Sequence, residues 1–266
     1  MKKSLVKKAI FSKSSIYQSN FPAPMEILPG IKIIDLALYL DSTLVIADVH
    51  IGYEEALNKQ GILVPRLAFE DSVKKIENIF SALKGKKIDR IIVNGDLKHE
   101  FGAISEQEWR NTLKFIDLLQ KNCNELILIK GNHDNMLSPV ARKRNARLEE
   151  FFLIKSKKIL IVHGNKIPDK KLLNEASSII IGHEHASVSL RQGPRVEKFK
   201  CFLIGKYQGK NLIVQPSFNT IIEGTDILKD KILSPFLKQN LDDFKVYVVE
   251  GKVYDFGKLK KLIYNF

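Results

Sequence analysis

What most constrains the fold of this chain is a succession of short, largely apolar runs, each ended by a block of glycine, aspartate, asparagine or histidine. Thr43–Ala47 leads into Asp48-Val49-His50, Ile88–Val93 into Asn94-Gly95-Asp96, and Leu126–Ile129 into Gly131-Asn132-His133-Asp134. Ile159–Val162 then leads into His163-Gly164, and Ile179–Ile181 into Gly182-His183-Glu184-His185. Runs this short, bounded by turn formers, read as buried strands. All six histidines, His50, His99, His133, His163, His183 and His185, lie in these blocks or within a few residues of them. Histidines serving only as surface or core residues would scatter along the chain. Grouping at strand ends is expected where those ends converge on one site of an α/β sheet.

Between the runs the apolar period changes. Ala68–Leu83 carries Phe69, Val73, Ile76, Ile79, Phe80 and Leu83 at helical spacing. Glu106–Leu119 is again amphipathic, and Pro168–Ala176 supplies a further helix. Ile33–Leu40 and Thr43–Ala47 read as a hairpin around Asp41-Ser42. After Ser187 the pattern is β-rich: Val196–Ile204, Leu212–Val214, Val246–Val249 and Lys252–Phe256. Strands alternating with helices, then a strand-rich end, predict an α/β fold of stacked sheets flanked by helices. Residues 1–30, basic and then punctuated by Pro22, Pro24 and Pro29-Gly30, are expected to form an arm or linker, and 31–266 a single domain.

Composition bears on partners and compartment. The 43 Lys+Arg against 30 Asp+Glu give a formal charge of +13. Such an excess favours anionic partners, nucleic acid being the commonest, or else serves solubility alone. Two cysteines, Cys123 and Cys201, exclude a disulfide framework and a thiolate-rich zinc site, and point to the cytoplasm. No apolar run approaches the roughly 20 residues that span a bilayer, so no membrane association is expected. Lys7 and Lys8 interrupt the one stretch that could resemble a leader.

At the strand ends, Asp48 and His50 would face the same way on a period-two backbone, so both can face one cation. Gly95 lets the chain turn sharply before Asp96. Together the five ends offer carboxylate, amide and imidazole groups. In order and spacing, Asp48-x-His50, Gly95-Asp96, Gly131-Asn132-His133-Asp134, His163 and Gly182-His183-x-His185 resemble the motif set of the calcineurin-like metallophosphoesterases. Pro216-Ser217-Phe218 and Gly224 resemble the tail motif of the SbcD-related single-domain branch. Gly95-Asp96-Leu97-Lys98-His99-Glu100 is similar to a block of the repair nucleases, with Lys98 in place of the usual aromatic residue.

The resemblance implies a four-layer α-β-β-α sandwich of two mixed sheets flanked by helices, with a dinuclear metal site at the C-terminal strand ends. Asp48, His50 and His185 would hold one divalent ion, and Asn132, His163 and His183 the second, with Asp96 bridging. Ligands without thiolate suit manganese, iron or zinc, with manganese preferred here. The implied reaction is phosphodiester cleavage of DNA or RNA by a metal-bridging hydroxide attacking phosphorus. His133 would protonate the leaving oxygen or stabilise transition-state charge. Asp134 would orient His133, or else cap a turn. His99 would contact a substrate phosphate or sugar, or else be a solvated loop residue. Arg142 and Arg144, with Lys143 and Arg147, are either a phosphate-backbone track or solvated helix surface. Aromatic residues do not interleave with them, so no single-strand stacking platform is expected. Glu184 and Trp109 read as structural. The alternatives are a phosphohydrolase of small nucleotides or phosphomonoesters, or a non-catalytic scaffold of the same fold. The expected partner is nucleic acid or nucleotide, with a helicase or repair protein supplying added DNA contacts. Oligomeric state stays open.

Overall fold

The computed structural model describes residues 23–263 except 66, 101, 103, 104 and 135, so most of the expected arm, residues 1–22, lies outside the described residues. The first sheet runs β1 (Met25–Leu28), β2 (Ile31–Ile34), β3 (Ala37–Leu40), β4 (Thr43–Ile46), β5 (Arg90–Asn94), β6 (Glu125–Ile129) and β7 (Arg147–Glu149). These strands neighbour one another in chain order, antiparallel from β1 to β4 and parallel from β4 to β7. The second sheet contains β8 (Phe151–Ile154), β9 (Ile159–Val162), β10 (Ser178–Ile181), β11 (Ala186–Gln192), β12 (Arg195–Tyr207) and β13 (Lys210–Val214). It is completed by β14 (Thr225–Asp226), β15 (Lys245–Glu250) and β16 (Lys252–Lys258). Within it β9, β10 and β13 run parallel. The helices are α1 (Tyr53–Lys59), α2 (Ala68–Ala82), α3 (Glu106–Gln120), α4 (Leu137–Lys143), α5 (Lys170–Glu175) and α6 (Lys260–Ile263).

Side-chain alternation explains why the parallel strands are apolar throughout. Ile159, Ile161, Ile180 and Ile213 join a core shared with the first sheet and with α2, α3 and α4. Their neighbours Leu160, Val162, Ile179, Ile181, Leu212 and Val214 join a second core with Leu172 and Leu173 of α5, Phe236, Phe244 and Leu262. A strand covered on both faces has no polar side to show. Each fully buried aliphatic residue contributes roughly 1.5–3 kcal/mol. The layers are therefore helix, sheet, sheet, helix, the outermost formed by short α5, α6 and the chain between β14 and β15. Side chains set the helix starts: Ser105 Oγ accepts from Glu108 N at 3.0 Å, and Asp169 Oδ1 from Leu172 N at 2.9 Å.

Two expectations are corrected. Ile33–Leu40 is not one strand: a turn at Asp35-Leu36 divides it, with Asp35 at φ 50°. Aspartate tolerates this conformation, and the flanking apolar residues hide the turn. Residues 25–28 do not belong to an arm: β1 pairs antiparallel with β2, and Pro29-Gly30 is their connection. Among the described residues no helix is long and apolar enough to cross a membrane.

Candidate metal centre

The parallel strands β4, β5 and β6 of one sheet and β9 and β10 of the other end on the same side, and their next residues meet there. Asp48, His50, Asp96 and His185 each offer a ligand atom within 4.8 Å of the others. Asp96, His163 and His183 do the same, so Asp96 belongs to both groups. Asn132 joins the second, its Oδ1 lying 3.0 Å from His163 Nε2. The two groups coincide in membership with the two ligand sets expected from the sequence.

Strand alternation is not what aims Asp48 and His50 together. β4 stops at Ile46, and both residues adopt left-handed backbone, at φ 55° and 47°. Asp96, His183 and His185 do likewise, at φ 46°, 64° and 50°. A non-glycine residue held there costs on the order of 1 kcal/mol and persists only where its surroundings fix it. The fixing bonds come largely from the segment after β13. Ser217 Oγ donates to the Asp48 carbonyl at 2.7 Å, and Asn219 Nδ2 to those of Val49 and His50 at 3.0 and 3.3 Å. Lys200 Nζ in turn donates to the carbonyls of Ser217 and Asn219 at 2.7 and 2.5 Å. Thr225 N donates to the His185 carbonyl at 3.1 Å. The Pro216-Ser217-Phe218 and Gly224 motifs thus brace the chain around the ligands. Glycine is required where the ligand-bearing loops pack closely. A Cβ on Gly95, at φ 81°, would lie 2.0 Å from His163 Nδ1, and one on Gly131 2.0 Å from Asp96 Oδ1.

Each carboxylate is anchored through one oxygen. His183 N donates to Asp48 Oδ2 at 3.0 Å, and His133 N to Asp96 Oδ1 at 2.8 Å. The other oxygens point inward. Asp96 Oδ2 lies 3.4 Å from His163 Nε2 and 3.7 Å from His50 Nε2. Asp48 Oδ1 is buried without a hydrogen-bond partner. Ring nitrogens crowd the same space, His50 Nε2 standing 3.2 Å from His185 Nε2, and His183 Nδ1 3.2 Å from His163 Nε2. An orphaned carboxylate oxygen facing converged imidazoles fits a cation. These donors suit a pair of divalent transition ions.

The electrostatics agree. Burial alone would raise Asp96, but the His163 hydrogen bond and charge, with those of His50 and the His133 amide, hold it well below the carboxylate range. Burial alone would depress His163, but Asp96 and Asp48 lift it to about 9. Burial and His185 keep His50 far below its ordinary value, and burial and His163 bring His183 to about 4.

His133 and His99 flank the cluster, their rings stacked 5.1 Å apart at 27°. His133 Nδ1 donates to the His99 carbonyl at 2.6 Å, since a carbonyl can only accept. That bond sets the tautomer of the neutral His133 ring. Asp134 does not do this, as was expected of it. Its buried carboxylate accepts from Gly131 N at 3.0 Å and Lys98 N at 3.5 Å, the turn-capping alternative. Burial, then Asp96, pushes it up to about 6. His99 is a cluster neighbour, its Nδ1 lying 3.3 Å from His50 Nδ1, rather than a solvated loop residue. Burial, then His133, holds it at about 4.

Three findings escaped the sequence reading. Fully buried Lys98 donates Nζ to the His133 carbonyl at 2.6 Å and also to the Glu100 carbonyl, tying both loops together. Arg144 is turned onto Asp117 of α3 and Arg147 onto Glu149 and Glu125, while Arg142 is exposed in the last turn of α4. Lys130 and Lys166 instead line the cleft that reaches Asn132. Glu184, read as structural from the sequence, is buried and accepts from Ser234 N at 2.7 Å.

One solved structure shares the scaffold. The nuclease MPE of Pseudomonas putida superposes with a TM-score of 0.61 at 19% identity, over 87% of this chain and 98% of that one. Vacuolar Protein Sorting 29 of Cryptosporidium parvum matches at TM-score 0.38 and 17% identity, over 81% and 97%. A predicted phosphoesterase of Streptococcus pneumoniae TIGR4 matches at 0.32 and 16%, over 81% and 97%. Among curated proteins none matches the chain. The family model for calcineurin-like phosphoesterases matches residues 42–220, the span that carries every residue of the two ligand groups. The chain belongs to the calcineurin-like phosphoesterase family.

Proposed function

We propose that this protein is a metal-dependent phosphodiesterase acting on nucleic acid in a reducing, cytoplasmic setting. In this reading Asp48, His50 and His185 hold one divalent ion, Asn132, His163 and His183 the other, and Asp96 both. Manganese is the preferred metal, with iron or zinc as alternatives. The observation that carries the reading is the inward convergence of Asp48 Oδ1 and Asp96 Oδ2 on four imidazoles, with Asp48 Oδ1 left without a hydrogen bond. Two divalent ions bound there supply positive charge for phosphoryl oxygens and make water acidic enough to ionise near neutral pH. The protein's own groups do the rest. His133, its Nδ1–H held by the His99 carbonyl, would give the leaving oxygen the Nε2 proton of its doubly protonated ring and return to the neutral Nδ1–H tautomer. Lys98 fixes the carbonyls of His133 and Glu100. The nucleic-acid preference draws on the charge of +13 and on the P. putida neighbour, which is a nuclease.

The test compares turnover of bis-p-nitrophenyl phosphate, p-nitrophenyl phosphate and single-stranded DNA with manganese present. Cleavage of the diester and of DNA is expected, and loss of both in His133→Ala. Activity confined to the monoester would overturn the reading. A small-nucleotide substrate is the second reading. It is favoured by clefts of about 430 and 340 Å³ beside the ligands, within the range of small-molecule sites.

A further inference from the structure

An edge strand of each sheet frames the groove formed by the two clefts beside the ligands. β7 and β8 are consecutive in the chain but lie at the edges of different sheets, and Glu150 joins them. On one side is a cleft of about 430 Å³ that reaches Asn132, and on the other one of about 340 Å³ that reaches His163 and Phe151. Both are lined by Lys130, Glu150, Asn165 and Lys166, so they are two halves of one groove passing the ligands of the second ion.

The chemistry of its walls is specific. Lys130 Nζ lies 3.1 Å from Glu150 Oε1 and Lys166 Nζ 3.4 Å from Oε2. The hydrogen bond from Lys130, followed by the charges of both lysines, holds the Glu150 carboxyl below its ordinary range, so it stays ionised. Two ammonium groups on one carboxylate leave this triad at +1, held in place by the carboxylate between them, while Asp134 lines the first cleft and Asp169 the second. The Asn165 amide adds a neutral donor and acceptor. Beside them the Phe151 ring is 42% exposed, a large apolar surface at the edge of a polar cleft. Ammonium groups for a phosphate and an aromatic face for an unpaired base are the two elements of single-strand recognition.

We propose that this groove is the subsite for the nucleotide next to the scissile phosphate. Its phosphate would sit on Lys130 and Lys166 with Asn165, and its base on Phe151, so the preferred substrate is single-stranded. This rests on the phosphodiesterase reading for the scissile position, but its test does not need turnover. Binding of fluorescein-labelled oligothymidylate to the full-length protein in EDTA is followed by anisotropy as salt is varied. Lys130→Ala/Lys166→Ala raises Kd at least tenfold and lowers the salt slope by about 0.7, the value for one neutralised single-strand phosphate. Phe151→Ala raises Kd at least fivefold, the lower end for one stacked base. Glu150→Gln, which frees both ammonium groups, lowers Kd severalfold. Arg142→Ala/Lys143→Ala removes the same charge from α4 and changes Kd less than twofold. An unchanged Kd and slope in the lysine variant, equal loss in the α4 variant, or no binding by the unaltered protein would each overturn the groove. Failure to hydrolyse bis-p-nitrophenyl phosphate with manganese would instead overturn the phosphodiesterase reading, and the metal-free binding result would still decide the groove. The substituted residues are surface groups, with Lys130, Glu150 and Lys166 40%, 53% and 73% exposed, so the variants fold.

Discussion

Loading the site with divalent ions must displace a proton from His163. Burial alone would depress this imidazole, but Asp96, 3.4 Å from Nε2, and Asp48, 3.6 Å from Nδ1, lift it to about 9. In the metal-free protein it is therefore charged at neutral pH. A metal takes only the neutral ring, so uptake and deprotonation are linked. With a pKa of about 9, affinity at pH 7 stands ~100-fold below its plateau and rises about tenfold per pH unit until that value is passed. His50 and His183, already held low, release no proton in this window. Stability follows the same linkage. A folded pKa raised from 6.5 contributes stability that is fully present below pH 6.5 and is lost as pH rises through about 9. Metal-free protein should lose on the order of 3 kcal/mol of stability across that window through this group. The assay is calorimetric titration with manganese in two buffers of different ionisation enthalpy, which counts protons released. About one proton is expected at pH 7 per ion entering the group of Asp96, His163 and His183. Affinity that stays flat between pH 6 and 8, with no proton released, would refute the reasoning.

Three further outcomes are expected. Lys98→Met removes the ammonium from two buried carbonyls, each unsatisfied group costing about 1–3 kcal/mol. It should lower kcat on bis-p-nitrophenyl phosphate at least tenfold while metal stoichiometry stays unchanged, and a fall in stoichiometry would contradict the role given to Lys98. Gly95→Ala places a methyl group on the His163 ring in a left-handed backbone. Metal analysis of this variant should show the ion of the His163 group lost, and full occupancy would count against the close packing described. Burial, then Lys75, brings Lys200 down to about 7, so the unfolded chain binds the extra proton between about pH 7 and 10.5. Lys200 therefore makes stability rise with pH in that window. Urea melts should show Lys200→Met losing this rise relative to the unaltered protein, and parallel profiles would refute it.

Why some of this was legible in the sequence and some was not has physical causes. Metal ligands must leave regular strands to converge, so Asp48, Asp96, His163 and His183 stand out where an apolar run stops. Two-sided burial gives β9, β10 and β13 unbroken apolar runs, which mark them as central strands. The left-handed backbones of five ligands carried no glycine to announce them, so alternation gave the right partners for Asp48 and His50 by the wrong geometry. Asp134 and Lys98 each reach a backbone atom of the other's loop, contacts that have no sequence signature. Arg144 looked free until α3 brought Asp117 against it. The Lys130–Glu150–Lys166 groove is assembled from three segments whose proximity depends on how two sheet edges meet.

The central claim is that Asp48, Asp96, Asn132 and four histidines enclose two cations. Its most direct measurement is the metal content, by plasma mass spectrometry, of protein equilibrated with manganese and then desalted. Two ions per chain are expected, falling to none or one in Asp96→Asn, whose carboxylate serves both groups. No retained ion in the unaltered protein, or two ions in Asp96→Asn, would contradict the account.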